Sequence, residues 1–189
     1  MASSDPKTLL TEEEYLAIER RAESRSEFYN GEMFALAGAS RRHNRIVTNL
    51  VISLGTQLRD RQCNVYSSDM RVRVSNTGLY TYPDGVATCG EEEFADDEQD
   101  TLLNPLVILE VLSDSTEAYD RGKKFEHYQN IGSLLTYVLV TQDAPRIERY
   151  VRQEDGRVWT YTESHGADAL FGLEAVGCEL RLEDVYAKV

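Results

Sequence analysis

Along the chain the spacing of apolar residues changes period several times, and each change marks an element. Thr11-Glu12-Glu13-Glu14 has the form of a capping box, in which a threonine and a glutamate three residues later satisfy each other's main-chain donors, and it opens the amphipathic run Tyr15 to Ala22. Glu27 to Leu36 carries Asn30-Gly31 between two apolar segments, the pair that best tolerates the backbone of a two-residue hairpin, and so predicts two strands. Gly38-Ala39-Ser40 leads into Ile46, Val47, Leu50, Val51, Leu54 and Leu58 at helical spacing, with Ser40 as the expected cap of this longest helix. Val65 to Val74 alternates in its second half, Ser75-Asn76-Thr77-Gly78 turns the chain, and Leu79 to Cys89 returns as an antiparallel partner.

Pro105 to Leu112 is a continuous apolar run of strand length, the pattern of a central strand covered on both faces, and Glu110 is the residue in it that does not fit. Asp114-Ser115-Thr116-Glu117 has capping-box spacing and predicts a helix from there through Ile131; Gly132-Ser133 ends it, and Leu134 to Val140 is a second apolar strand, parallel to the first. Arg146 to Val151 and Arg157 to Thr162 flank Asp155-Gly156 as another hairpin, and Glu179 to Leu182 with a short terminal helix closes the chain. From Ser40 to Val140 the order is helix, two antiparallel strands, buried strand, helix, strand. This is an α/β (α+β) pattern with a mixed central sheet, in one domain over residues 1–189 whose core spans about 40–140. The N-terminal helix and hairpin and the C-terminal hairpin read as decorations.

The charge balance narrows the partners. With 33 Asp and Glu against 20 Lys and Arg the net charge is -13, which disfavours loose electrostatic adhesion to nucleic acid or anionic membranes. Glu91 to Asp100 alone supplies -7 of it and reads as a solvated excursion. Cys63, Cys89 and Cys178 are odd in number and widely spaced, with no C-x-x-C pair, so neither a disulfide framework nor a cysteine zinc site is expected and a reducing cytoplasm fits. The first residues lack the basic and apolar regions of a secretory leader, and no apolar run approaches the ~20 residues of a membrane span. Phosphate-binding P-loops, G-x-G-x-x-G turns, H-E-x-x-H, nucleophile elbows and EF-hand loops are all missing.

What remains is Glu110. A carboxylate inside a doubly covered strand is costly unless it is neutralised, paired or bound to a cation. Asp84, after Tyr82-Pro83 in the preceding strand, is the natural neighbour, since opposed side chains on adjoining strands lie ~5 Å apart. A divalent cation with a preference for hard oxygen ligands, Mg²⁺ or Mn²⁺, would relieve the repulsion, and such ions take one or two carboxylates, waters and phosphate oxygens. The alternative is that Glu110 pairs with Arg71 or Arg73, or stays protonated, and that Asp84 makes a turn.

Tyr82-Pro83-Asp84, Leu109-Glu110-Val111-Leu112-Ser113-Asp114-Ser115-Thr116 and Tyr119-Asp120-Arg121-Gly122-Lys123-Lys124-Phe125 with Tyr128 resemble the Uma-type endonuclease family, a branch of the PD-(D/E)XK restriction-endonuclease-like superfamily. The likeness extends over nearly the whole chain and is most specific within residues 82–128. It implies a restriction-endonuclease-like core and a Mg²⁺- or Mn²⁺-dependent endonuclease acting on DNA. It also implies that Asp84 and Glu110 bind the metal with the Val111 carbonyl. The superfamily pattern places a lysine two residues after the glutamate, where this chain has Leu112. The Uma-type pattern has a lysine on the following helix instead, at Lys124, which would assist attack; its plainer role is an intrahelical pair with Asp120.

His43, Asp69 and Tyr128 are candidates for supporting the site: His43 on the buried side of the long helix, Asp69 in the strand beside Asp84, Tyr128 one turn beyond Lys124. His43 reads equally as a core histidine and Asp69 as a solvated or Arg-paired acid. Glu27 and Glu32 read as surface carboxylates on a hairpin that could flank the cleft. His127 and His165 are expected to be exposed, and Trp159 to pack. Arg41, Arg42 and Arg45, with Arg121, Lys123 and Lys124, offer cations for a phosphate backbone. A homodimer is expected by analogy with restriction-like folds, and the alternative to an enzyme is a nuclease-like scaffold that binds nucleic acid or protein without turnover.

Overall fold

The computed structural model describes residues 9–189, so the reading of the first residues as lacking a secretory leader falls outside the described part. In chain order the elements are α1 (Glu12–Glu19), β1 (Ser26–Tyr29), β2 (Glu32–Ala35), α2 (Arg41–Leu58), β3 (Cys63–Ser67), β4 (Arg71–Val74), β5 (Leu79–Thr81), β6 (Gly85–Cys89), β7 (Thr101–Leu102) and β8 (Val107–Val111). There follow α3 (Glu117–Tyr119), a π-helical turn (Asp120–Lys124), α4 (Phe125–Tyr128), β9 (Thr136–Val140), β10 (Arg146–Arg152) and β11 (Trp159–His165). The chain ends with β12 (Leu170–Leu173), a 3-10 turn (Glu174–Val176), β13 (Cys178–Arg181) and α5 (Leu182–Val185).

A six-stranded sheet of order β11-β10-β9-β8-β6-β3 forms the centre, with β8 and β9 parallel and its other pairs antiparallel. All five residues of β8 are buried because both faces are covered. Val107, Leu109 and Val111 meet Ile46, Leu50 and Leu54 of α2, while Ile108 and Leu112 turn to the opposite face with Phe125, Tyr128 and Tyr137. Each fully buried aliphatic side chain there contributes about 1.5–3 kcal/mol. Local signals are well obeyed elsewhere. Thr11 and Glu14 make the capping box, Ser40 Oγ accepts the His43 N–H, and Asn30 and Gly31 both take positive φ (51° and 82°) in the hairpin turn. No helix among the described residues is long and apolar enough to cross a membrane.

The segment from 63 to 89 departs from the simple antiparallel pair. It folds back as one long hairpin, Cys63 opposite Cys89 and Ser67 opposite Gly85 at the base, Val72 opposite Thr81 and Val74 opposite Leu79 at the tip, with the register offset by one residue between the two halves. Both arms break, however, at residues 68–70 and at Tyr82-Pro83-Asp84. The tip joins a second sheet of order β2-β1-β5-β4-β7, and the base stays in the central one. Pro83 has no N–H to donate and a fixed φ, so a ladder cannot run through it.

Four further expectations are corrected. The acidic stretch 91–100 is anchored: Arg20 bonds Asp96 and Asp100, the buried Arg71 also reaches Asp100, and β7 pairs with β4. Arginine forks on several carboxylates remove the self-repulsion that composition alone suggests. The helix after β8 begins at Glu117, not Asp114, with no side-chain cap. The C-terminal hairpin β10–β11 extends the central sheet through β9, and β12 is an additional strand that closes over α2's face. Cys63 and Cys89, opposed in register, form a disulfide, which removes the cysteine-based reason for a reducing compartment; Cys178 is free and buried.

The disulfide is directly testable. Denatured without reductant, the protein should show one reactive thiol, Cys178, and reduction should lower its unfolding free energy by on the order of 3 kcal/mol for a loop of this length. Three reactive thiols, or an unchanged urea midpoint on reduction, would contradict the bond.

Candidate active site

Asp84 lies at the break that Pro83 imposes, one residue before β6. In the β6–β8 register Gly85 faces Leu109, so the next position outward sets Asp84 against Glu110. Glycine at 85 lets the strands approach without displacing Leu109, whose Cδ1 would lie 2.9 Å from a Cβ there. Main-chain hydrogen bonds then knit the two acids across the strands. The Val111 N–H donates to Asp84 Oδ2 at 2.8 Å, and the Asp84 N–H reaches Glu110 Oε2 at 3.3 Å.

Glu110 shares its face of β8 with Ile108 and Leu112, the face covered by the segment 117–128. Two groups descend from that segment onto Glu110 Oε1: Lys124 Nζ at 2.9 Å and the Tyr128 hydroxyl, which donates at 2.8 Å. The π-helical turn just before α4 aims both Asp120 and Lys124 inward, where they are buried; single π turns of this kind are frequent at functional sites. Lys124 Nζ also lies 3.3 Å from Glu27 Oε1 and 3.7 Å from Asp120 Oδ1. From the first turn of α2, His43 Nε2 comes to 3.0 Å from Asp84 Oδ2. Glu27, His43, Asp84, Glu110, Asp120 and Lys124 line a cleft of about 900 Å³ that also takes in Arg42 and Tyr119.

Four carboxylates, Asp84, Glu110, Glu27 and Asp120, thus surround one lysine and one histidine. Burial raises the Glu110 pKa to about 8; Lys124 opposes this, and the charges of Asp120 and Asp84 add to it. Burial also raises Asp120. For Lys124 burial acts in the other direction, yet Glu110, Glu27 and Asp120 together outweigh it and leave the ammonium pKa well above the usual lysine value. For His43 burial is likewise outweighed, by the hydrogen bond and charge of Asp84 with help from the Val111 carbonyl. The cluster therefore carries surplus negative charge and retains protons to offset it.

That surplus is the fit test for a cation. Among the described residues no three His, Cys, Asp or Glu side chains form a cage. Two carboxylates from adjoining strands beside the Val111 main chain are instead the sparse oxygen set typical of Mg²⁺ or Mn²⁺, which keep several waters. The residues present fit such an ion.

Of the residues singled out from sequence, Asp84, Glu110, Val111, Lys124, His43 and Tyr128 are brought together. Asp69 is not: it sits in the turn after β3, its side chain is 86 % exposed, and it pairs with Arg25. Arg71 and Arg73 do not reach Glu110, since they bind Asp100 and Glu12. Lys123 is exposed on Glu126, and Arg121 is taken by Glu117 and Glu148. His165 is exposed and Trp159 packs on Phe125, while His127 is half-buried against Tyr29 and Thr77. Two acids of the site carry little signal in the sequence: Asp120 shows there only as a helical neighbour of Lys124, and Glu27, expected at the surface, is 7 % exposed. Ser26, Glu27 and Phe28 are all buried, so alternation gave no sign of which face Glu27 takes.

A model of the Uma2 family, described as "Putative restriction endonuclease", matches residues 12–183. The chain belongs to this family. Two uncharacterized proteins of Synechocystis sp. are similar to it, one 40 % identical over 85 % of this chain and 90 % of its own length, the other 33 % identical over 97 % and 94 %. In fold, this Uma2 chain is similar to the crystal structure of a "putative nuclease belonging to DUF820" from Anabaena variabilis. The TM-score is 0.75 at 17 % identity, with 93 % of this chain and 96 % of the other covered. The restriction-endonuclease-like architecture expected from the motifs is therefore the fold of this Uma2 protein.

Because Glu110 is raised, the native state binds that proton more tightly than the unfolded chain does; the resulting stability is present at low pH and is lost as pH climbs through the raised value. Metal-free protein should lose stability to urea between about pH 4.5, the ordinary carboxylate value, and about pH 8, and Glu110→Gln, which imitates the protonated acid, should lose distinctly less. Equal slopes in the two proteins would contradict the raised value.

Proposed function

We propose that the protein is a divalent-metal-dependent endonuclease that hydrolyses phosphodiester bonds in DNA at the Asp84–Glu110 pair. The observation that carries this reading is the convergence of two strand-borne acids and a helix-borne lysine on one cleft, with more carboxylate than the chain's own cations balance. Mg²⁺ or Mn²⁺, when bound, supplies Lewis acidity toward a phosphate oxygen and a water of lowered pKa.

The chain's own groups then have distinct tasks. Asp84 and Glu110 hold the ion, with the Val111 carbonyl as a third oxygen donor. The Val111 N–H fixes the Asp84 carboxylate, and the Tyr128 hydroxyl fixes Glu110 from behind. Lys124 keeps a full positive charge beside them, suited to orient a water and to stabilise charge developing on phosphate oxygens. Leu112, buried in the core, does not weigh against catalysis, because Lys124 reaches the same face of β8 from the covering helix.

Negative net charge is reconciled with a polyanionic substrate locally. No residue of the acidic stretch 91–100 lines the cleft. Arg42, which lines the cleft from α2, hydrogen-bonds a main-chain carbonyl rather than a carboxylate and so keeps its charge available to a phosphate backbone. A homodimer would present two such clefts to a duplex.

Purified protein should nick supercoiled plasmid only with Mg²⁺ or Mn²⁺. Asp84→Ala and Glu110→Ala should each abolish nicking, and Lys124→Ala should slow it roughly 100-fold or more. Nicking that survives the acid substitutions would overturn the site, and turnover of mononucleotides in preference to polymers would overturn the substrate. Arg42→Ala should weaken DNA binding across sequences and reduce the slope of log affinity against log salt by about 1; an unchanged slope would remove Arg42 from the phosphate path.

A further inference from the structure

We infer that Glu27, on the N-terminal hairpin outside the helix–strand core, is the positioning residue that holds Lys124 in its working place; this rests on the nuclease reading of the site. Glu27 lies on β1, in the second sheet, beside Phe28, whose ring stacks on Tyr15 at 4.8 Å and packs edge-on to Tyr80. With Phe28 committed to that aromatic cluster, Glu27 takes the other face of β1 and enters the cleft wall. There its Oε1 accepts the Thr81 hydroxyl of β5 and lies 3.3 Å from Lys124 Nζ.

A buried carboxylate is an expensive choice for a hairpin whose only task is packing. Its effect here falls on Lys124. A lysine ammonium has three donors on a flexible four-carbon stem and fixes no direction of its own. Three carboxylates from three elements surround it: Glu110 of β8 at 2.9 Å, Glu27 of β1 at 3.3 Å and Asp120 of the π-helical turn at 3.7 Å. Glu110 is also a ligand in the proposed metal site, so its oxygens are shared. Glu27 is the nearer of the two acids left to Lys124 alone, and Thr81 locks its carboxylate. It acts through Lys124 and contacts neither metal nor substrate, which makes the N-terminal hairpin part of the site.

The test is a double-substitution cycle, Glu27→Gln with Lys124→Ala, together with Glu27→Asp. Glu27→Gln should still take up Mn²⁺ in calorimetry at the wild-type stoichiometry, with only the loss of affinity that removing one nearby charge brings. Its single-turnover nicking should fall about 10- to 100-fold, the scale of a catalytic group displaced by about 1 Å. Adding Glu27→Gln to Lys124→Ala should cost nothing further, and Glu27→Asp should recover part of the rate. Loss of Mn²⁺ uptake in Glu27→Gln would make it a metal ligand instead, and additive rate losses would make it independent of Lys124; either overturns the inference.

A second measurement is independent of cleavage. In ¹⁵N-lysine-labelled protein the Lys124 ammonium, sequestered from water, should give a resolved proton–nitrogen peak that Glu27→Gln broadens or removes and Glu27→Asp retains. A peak unaffected by Glu27→Gln overturns the positioning role. If wild type fails to cut DNA while the peak responds as described, the nuclease reading fails and the positioning of Lys124 stands.

Discussion

A carboxylate in a strand covered on both faces has to be compensated, and Glu110, 3 % exposed in β8, is such a group. Its desolvation alone runs to several kcal/mol. The structure meets it from three directions: the Tyr128 hydroxyl and the Lys124 ammonium on one oxygen, the Asp84 main chain on the other. Compensation by Lys124 brings two more acids with it, Glu27 and Asp120, so the cluster ends with surplus negative charge rather than neutrality. A packed apolar residue at 110 would remove the whole problem, so the carboxylate there comes at a cost in stability.

The architecture around Glu110 follows from how each neighbour is delivered. Asp84 arrives because Pro83 ends one ladder and Gly85 permits the next to start in contact with Leu109. Lys124 arrives because a wider helical turn aims two successive inward positions, Asp120 and Lys124, at the same strand face. Glu27 arrives from a sheet that the tip of the 63–89 hairpin joins to the centre through the β1–β5 pair. The cleft lies where these pieces meet, and so it draws residues from both sheets and two helical segments.

Much of this was legible from local pattern. Asn30-Gly31, Ser40 and the period of α2 are short-range signals, and the structure obeys them. Glu110 stood out because the apolar run around it is continuous, and Asp84 because it precedes the one strand that could oppose it. Other features depend on contacts between distant residues and leave no local trace. The Asp114–Glu117 spacing promised a cap at Asp114, but the Ser113 carbonyl accepts from the Thr116 and Glu117 N–H groups, so a turn opens at Ser113 and regular helix is reached only at Glu117. Arg20 and Arg71 tame an acidic stretch that composition marks as repelling itself. Cys63 and Cys89 become partners only through strand register, and Glu27 becomes a cleft residue only because Phe28 is claimed by a distant aromatic cluster. Asp69, on the opposite arm of the hairpin from Asp84, is lost from the site by the same break that creates it.

Anomalous scattering from crystals soaked in Mn²⁺ tests the centre of this picture most directly. The metal-centred reading requires a single strong peak within coordination distance, about 2.0–2.2 Å, of oxygens from both Asp84 and Glu110, with the His43 ring withdrawn from Asp84 or sharing its carboxylate. Full soaking that leaves no peak there, with His43 and Lys124 still closing the two acids, would contradict it.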